Sequence, residues 1–157
     1  MEDIFKLVQN DPDVQVSEHD IESWMKNIDD SQYNYLEGKT SKIIEQEKRD
    51  ALCIYKNIDN EKMLGSLSMY RTVNDLRDLR MGRHCRWINN NTGKLHKGGY
   101  LTKVDFREKG VYLLCELLKR YKMQVKMEDN AVFQKITAEE WIVIMANEYE
   151  INSKDAS

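Results

Sequence analysis

Proline is nearly absent from this 157-residue chain, with Pro12 alone, and cysteine is limited to Cys53, Cys85 and Cys115. An odd number of widely spaced cysteines builds no disulfide framework, and reduced thiols fit a cytosolic or nuclear-type compartment. No CxxC pair occurs, and His19, His84 and His96 never fall at i, i+3 or i, i+4. His84 and Cys85 are neighbours on an expected strand, where successive side chains point to opposite faces and share an ion poorly. No metal and no cofactor is therefore expected. Long apolar runs are missing too, since none approaches the roughly 20 residues of a membrane helix. Residues 1–10 carry no signal-peptide pattern, so neither a membrane span nor secretion is expected. Nothing pairs two carboxylates in a plausible cleft, or a Ser or Cys with a poised His, which argues against an enzyme. Gly38-Lys39-Thr40 has the look of the end of a phosphate-binding loop, but Tyr33 stands where the earlier glycine is required.

What is present is 41% apolar and 32% charged residues, the balance of a globular chain. The net charge of −3 hides a strong asymmetry. Residues 1–62 hold 8 basic and 15 acidic side chains, net −7; residues 63–135 hold 15 and 7, net +8; residues 136–157 are net −4. A basic middle between acidic ends has two readings. It faces an external polyanion such as nucleic acid, or the acidic arms fold onto it.

Hydrophobic periodicity divides the chain into a helical region over 1–69, a β region over 70–136, and a closing helix and tail over 137–157. Ile21, Trp24, Met25 and Ile28 sit at i, i+3, i+4, i+7 behind Ser17, which predicts a helix over about 18–29. A second helix is expected over about 40–63, with Ile43, Ile44, Ala51, Ile54, Tyr55 and Ile58 on its apolar face. The period then shortens to 2. Strands are expected at 83–88, 99–106, 111–118, 120–127 and 131–135, separated by the turn cluster Asn89–Gly93 and by Arg107–Gly110 and Glu128–Asn130. On the fourth of these, Tyr121, Met123, Val125 and Met127 point inward and Lys122, Gln124 and Lys126 outward. On the second, Tyr100, Thr102, Val104 and Phe106 alternate against Leu101, Lys103 and Asp105. Paired Gly98-Gly99 reads as a bend or bulge. Five short strands with tight turns predict an α+β fold: a small five-stranded SH3-like β-barrel, with an OB-like barrel as the alternative, flanked by N-terminal helices and a C-terminal helix. Thr137-Ala138-Glu139-Glu140 has capping-box spacing and opens that last helix, expected to about Ile151 with Trp141, Ile144, Met145 and Tyr149 on one side.

Arg83, Arg86, Lys94, Lys97, Lys103, Lys122 and Lys126 all fall on the expected strands or their long loop, and they form the candidate nucleic-acid-binding set. Tyr100 and Tyr112 are candidate stacking surfaces, whereas Trp87 reads better as core.

The stretches Tyr70-Arg71-Thr72-Val73, Leu79-Arg80-Met81-Gly82-Arg83-His84-Cys85-Arg86-Trp87-Ile88, Gly98-Gly99-Tyr100-Leu101 and Val132-Phe133-Gln134-Lys135 through Glu139-Glu140 come in a specific order. In that order the chain resembles uncharacterised small-barrel proteins of nucleocytoplasmic large DNA viruses, over about residues 70–149. It departs from their pattern at His84-Cys85, where Tyr-Ile is usual, making the first strand less apolar. The resemblance implies a viral protein of the host cytoplasm (the viral factory) or of the virion, and it supplies no reaction. Two expectations follow: a non-enzymatic module binding nucleic acid through a basic barrel face, or a virion structural or adaptor protein binding other viral proteins. Oligomerisation is compatible with either.

Overall fold

The computed structural model describes residues 30–56, 58–118 and 121–155, which divide into two compact units, one within residues 46–135 and one formed by residues 30–45 with 136–155. The helix expected over 18–29 lies outside the described residues.

The larger unit is built on six antiparallel strands: β1 (Tyr70–Val73), β2 (His84–Asn89), β3 (Gly99–Arg107), β4 (Gly110–Leu118), β5 (Tyr121–Lys126) and β6 (Asn130–Lys135). Their order is β1-β6-β2-β3-β4-β5. This overturns the closed five-stranded barrel. A sixth strand, β1, adds to β6 through the register Tyr70↔Lys135 to Val73↔Val132. Among the described residues the sheet ends at β1 and β5, two edges that do not pair with each other. Closure needs a continuous ladder around the ring, and here the architecture is α+β with an open sheet.

The sheet's inner face collects Val73, Leu79, Cys85, Trp87, Leu101, Leu113, Cys115, Val125 and Val132 into one core to which every strand contributes. Its outer face is split in two. Over β1, β6 and β2, Ile88 and Phe133 pack with Leu52, Tyr55, Leu64 and Leu67. These come from the second half of α1 (Ser41–Leu52), from α2 (Asn60–Ser66) and from the segments flanking α2. Over β3–β5 the outer face carries mostly polar side chains, with Leu114 among them.

The single helix expected over about 40–63 is two helices. Asp59 breaks it: its carboxylate accepts from the Lys62 amide at 3.2 Å and caps α2, while Tyr55 turns inward to become core. A second correction concerns β3. A bulge between Leu101 and Lys103 makes Thr102 an extra residue, whose hydroxyl donates to the Leu114 carbonyl at 3.1 Å. The alternation therefore reverses there. Tyr100 shares the outer face with Lys103 and Asp105, while Leu101 lies inside with Val104.

In the other unit, α3 (Ala138–Asp155) opens with the expected capping box: Thr137 Oγ1 accepts from the Glu140 amide at 3.2 Å and Glu140 Oε1 from the Thr137 amide at 2.9 Å. Tyr35, on the short 3-10 segment Asp30–Leu36, donates to Glu140 Oε2 at 2.7 Å. Glu148 accepts from the Ser41 amide and hydroxyl at the start of α1, where a carboxylate suits the helix dipole. Leu36, Ile44, Trp141, Ile142, Ile144 and Met145 are buried here. No described helix is long and apolar enough to cross a membrane.

Candidate functional site

The seven cations fall into three places. Three of them share one surface. Residues directly opposite on antiparallel strands lie on the same face, so the pairs Tyr112↔Lys126, Leu114↔Gln124 and Glu116↔Lys122, with Lys103↔Leu114 and Asp105↔Tyr112, place Lys103, Lys122 and Lys126 together on the outer face of β3–β5. Arg107, outside the expected set, joins them. Its guanidinium lies 4.6 Å from the centre of the Tyr112 ring and is held by Asp105 Oδ2 at 2.9 Å and Gln124 Oε1 at 3.3 Å. Lys103 lies 3.9 Å from Asp105. Tyr100, 56% exposed, completes the row opposite Glu116. Four cations thus share this face with two carboxylates, Asp105 and Glu116, and with two phenol rings. Among the described residues no ion pair engages Lys122 or Lys126.

Lys94 and Lys97 lie elsewhere, on the hairpin between β2 and β3. Asn89 Oδ1 accepts from the amides of Asn91 and Thr92, and Gly93 takes a positive φ of 67° to turn the chain back. Both lysines border a cavity of about 560 Å3 whose apolar wall is Trp87, Leu95, Leu117, Met123 and Val125. The His96 ring stacks on Trp87, with centroids 4.5 Å apart and planes 12° apart. Trp87 itself is core.

Arg86 and Arg83 are tied into the scaffold. Arg86 donates Nε to the His96 carbonyl at 3.1 Å and Nη1 to the Ser66 carbonyl at 3.2 Å, so its guanidinium fastens the β2–β3 hairpin and the end of α2. Arg83 is half-buried at the turn entering β2, where its carbonyl accepts from the Leu101 amide at 2.9 Å. Nothing in the spacing of the arginines distinguished them from the lysines. Length of side chain and a guanidinium fork are what let Arg86 reach two carbonyls at once.

Histidine chemistry lies beside both surfaces. His84 Nδ1 meets the Tyr70 hydroxyl at 2.9 Å, and the ring stands edge-on to Tyr70 and Tyr100. Burial, then the charges of Lys135 and Arg86, hold its pKa below the ordinary value; burial and then Arg86 do the same for His96. With folded pKa values depressed, the unfolded chain takes up protons first. Stability from these rings is complete above the ordinary histidine pKa of 6.5 and is lost as pH falls through the lowered values. The urea midpoint should drop between about pH 7.5 and about pH 5.5, and His84→Gln should flatten part of that drop. A midpoint constant across this window would contradict the burial of both rings.

Among the described residues no group of three His, Cys, Asp or Glu side chains could hold a metal ion. Comparison of the chain with family models, with curated proteins and with solved structures finds no match.

Proposed function

We propose that the protein is a non-enzymatic module that binds single-stranded nucleic acid on the outer face of β3–β5. The observation that carries this reading is the meeting of Lys103, Arg107, Lys122 and Lys126 with the rings of Tyr100 and Tyr112 on one solvated sheet face. Cations at strand spacing follow a phosphodiester backbone, and phenol rings offer stacking surfaces that tolerate any base. Double-stranded grooves suit it less, because their readout calls for an inserted helix or two-stranded ribbon rather than a sheet face. Within the sheet unit, the helices pack over β1, β6 and β2, away from the lysines. The resemblance to proteins of large DNA viruses suggests a setting in the viral factory or the virion.

Fluorescence anisotropy of the full chain with labelled single-stranded DNA and RNA tests this. Affinity should fall linearly on logarithmic axes with salt, by about 0.7 per phosphate contact. Lys103→Ala/Lys122→Ala/Lys126→Ala should weaken binding at least about tenfold at low salt and lower the slope by about 2. Absence of salt-dependent binding, or an unchanged slope in the triple variant, would overturn the reading.

A virion structural or adaptor role has its own supporting feature. Leu118 and Tyr121 face each other at the end of the β4–β5 ladder, 76% and 61% exposed, an apolar tip suited to a protein neighbour. Mass spectrometry of purified particles discriminates, since a structural component must be found there.

A further inference from the structure

The cavity beside Trp87 is lined by the inward Met123 and Val125 of β5, and Gln124 between them borders both the cavity and the platform of β3–β5. Five of its twelve lining residues, Trp87, Leu95, Leu117, Met123 and Val125, are apolar; the rest, Asn89, Thr92, Lys94, His96, Lys97, Gln124 and Asn130, bring amides, a hydroxyl, an imidazole and two ammonium groups. Asn89, Asn130 and Gln124 already commit side-chain atoms to the Asn91 and Thr92 amides, the Lys126 carbonyl and Arg107. What is left to a ligand is the His96 ring and the two ammonium groups, which an acyl chain would not engage. A flat heteroaromatic body with a hydrogen-bonding edge and an anionic end matches both halves of the lining. A volume of about 560 Å3 lies within the range of small-ligand sites.

The mouth is also fixed before any ligand arrives. His96 donates its amide to the Trp87 carbonyl at 2.8 Å, its carbonyl accepts from Arg86, and its Nδ1 accepts from the Gly98 amide at 2.9 Å. With Nδ1 accepting, the neutral ring carries its proton on Nε2 and keeps a donor to offer. Asn90 anchors the hairpin tip by donating Nδ2 to the Glu128 carbonyl at 3.2 Å and by accepting from the Tyr55 hydroxyl at 2.7 Å. Lys94 and Lys97 are exposed at the rim, and among the described residues neither has an ion-pair partner.

We infer that this cavity is a nucleoside monophosphate site, with the base against the Leu117, Met123 and Val125 wall beside the Trp87–His96 stack and the phosphate at Lys94 and Lys97. The same chemistry comes from a free nucleotide or from the 5′-phosphorylated end of a strand; the second source rests on the nucleic-acid reading above, the first does not. Titration of the full chain with adenosine 5′-monophosphate, followed by NMR of the His96 ring and the Met123 methyl, tests it. Saturable shifts of both signals are expected at millimolar ligand or below. Adenosine lacking the phosphate should bind at least about tenfold more weakly, and Lys94→Ala/Lys97→Ala should erase that difference, since a solvated ammonium–phosphate contact supplies about that factor. Thr92→Trp, at the exposed mouth, should block the site without touching the core. The Lys103/Lys122/Lys126 triple variant should bind the mononucleotide normally, which separates failure of this site from failure of the platform. Oligonucleotides with and without a 5′-phosphate identify the source: shifts that require the phosphorylated end assign strand ends, and shifts from the mononucleotide alone assign free nucleotide. Unmoved His96 and Met123 signals with every probe, or shifts indifferent to Lys94→Ala/Lys97→Ala, would overturn the assignment.

Discussion

Gly98→Ala should destabilise the sheet unit by about 2–4 kcal/mol, read as a large fall in the urea midpoint with little change in slope. Two penalties coincide at this position. Gly98 has φ +93°, a region that side chains rarely adopt, and a Cβ there would run into the Cys85 carbonyl and crowd the His84 ring at 2.8 Å and Arg86 Cγ at 3.0 Å. None of these can retreat cheaply. Cys85 is locked between Gly99 on β3 and Gln134 on β6, and Arg86 is bonded to two carbonyls. Gly93 provides the control. It also has a positive φ, of 67°, but its nearest neighbour would be Ile58 Cγ2 at 3.5 Å, an ordinary contact. Gly93→Ala should therefore cost only the left-handed penalty, about 1 kcal/mol. Equal effects at the two positions would show that crowding by β2 is not what requires a glycine at 98. The cavity hairpin depends on the same residue, because the Gly98 amide orients His96.

The residues explain which parts of this fold were legible in the sequence. All five expected strands exist, because each is a short run of strand-forming residues closed by turn residues whose preferences are local. The sixth strand escaped notice: Tyr70–Val73 is four residues long and three of them, Arg71, Thr72 and Val73, are buried, so no alternation marks it. Whether a sheet closes depends on which edges meet, a property of partners distant in sequence, and so the barrel was the wrong inference from a correct set of strands. The outward lysines of β5 followed from simple period-2 alternation, whereas β3 was misassigned because one bulged residue, Thr102, inverts everything before it relative to everything after. Asp59, followed by Glu61 in the first turn, was a readable cap signal inside what looked like one long helix. The cavity left no local trace at all, since its wall is assembled from β2, the β2–β3 hairpin, β4, β5 and the start of β6.

A still larger loss, about 3–5 kcal/mol, is expected for Gln134→Leu, because one carboxamide there satisfies four neighbours in a fully buried position. Gln134 is 0% exposed. Its Oε1 accepts from Arg71 Nη2 and from the Arg80 amide, both at 2.9 Å, and its Nε2 donates to the Arg80 carbonyl at 2.8 Å and to Cys85 Sγ at 3.4 Å. Two acceptor sites and two donor protons are the whole capacity of the group. Leucine fills the volume yet removes the acceptor shared by the Arg71 guanidinium and the Arg80 amide, and the donor to the Arg80 carbonyl. Gln134→Glu should recover part of the loss. It keeps the oxygen for Arg71 and the Arg80 amide but sets a second oxygen against the Arg80 carbonyl. A cost below about 1 kcal/mol for Gln134→Leu would mean that water or a shifted turn takes over these bonds. The position also separates scaffold from function. Arg71, Arg80 and Gln134 clamp β1, β6 and the turn into β2 together. Lys103, Lys122 and Lys126 lie on strands outside this clamp. Their alanine variants should therefore leave the urea midpoint within about 0.5 kcal/mol of the parent, while Gln134→Leu should lose nucleic-acid binding only to the extent that it unfolds the sheet.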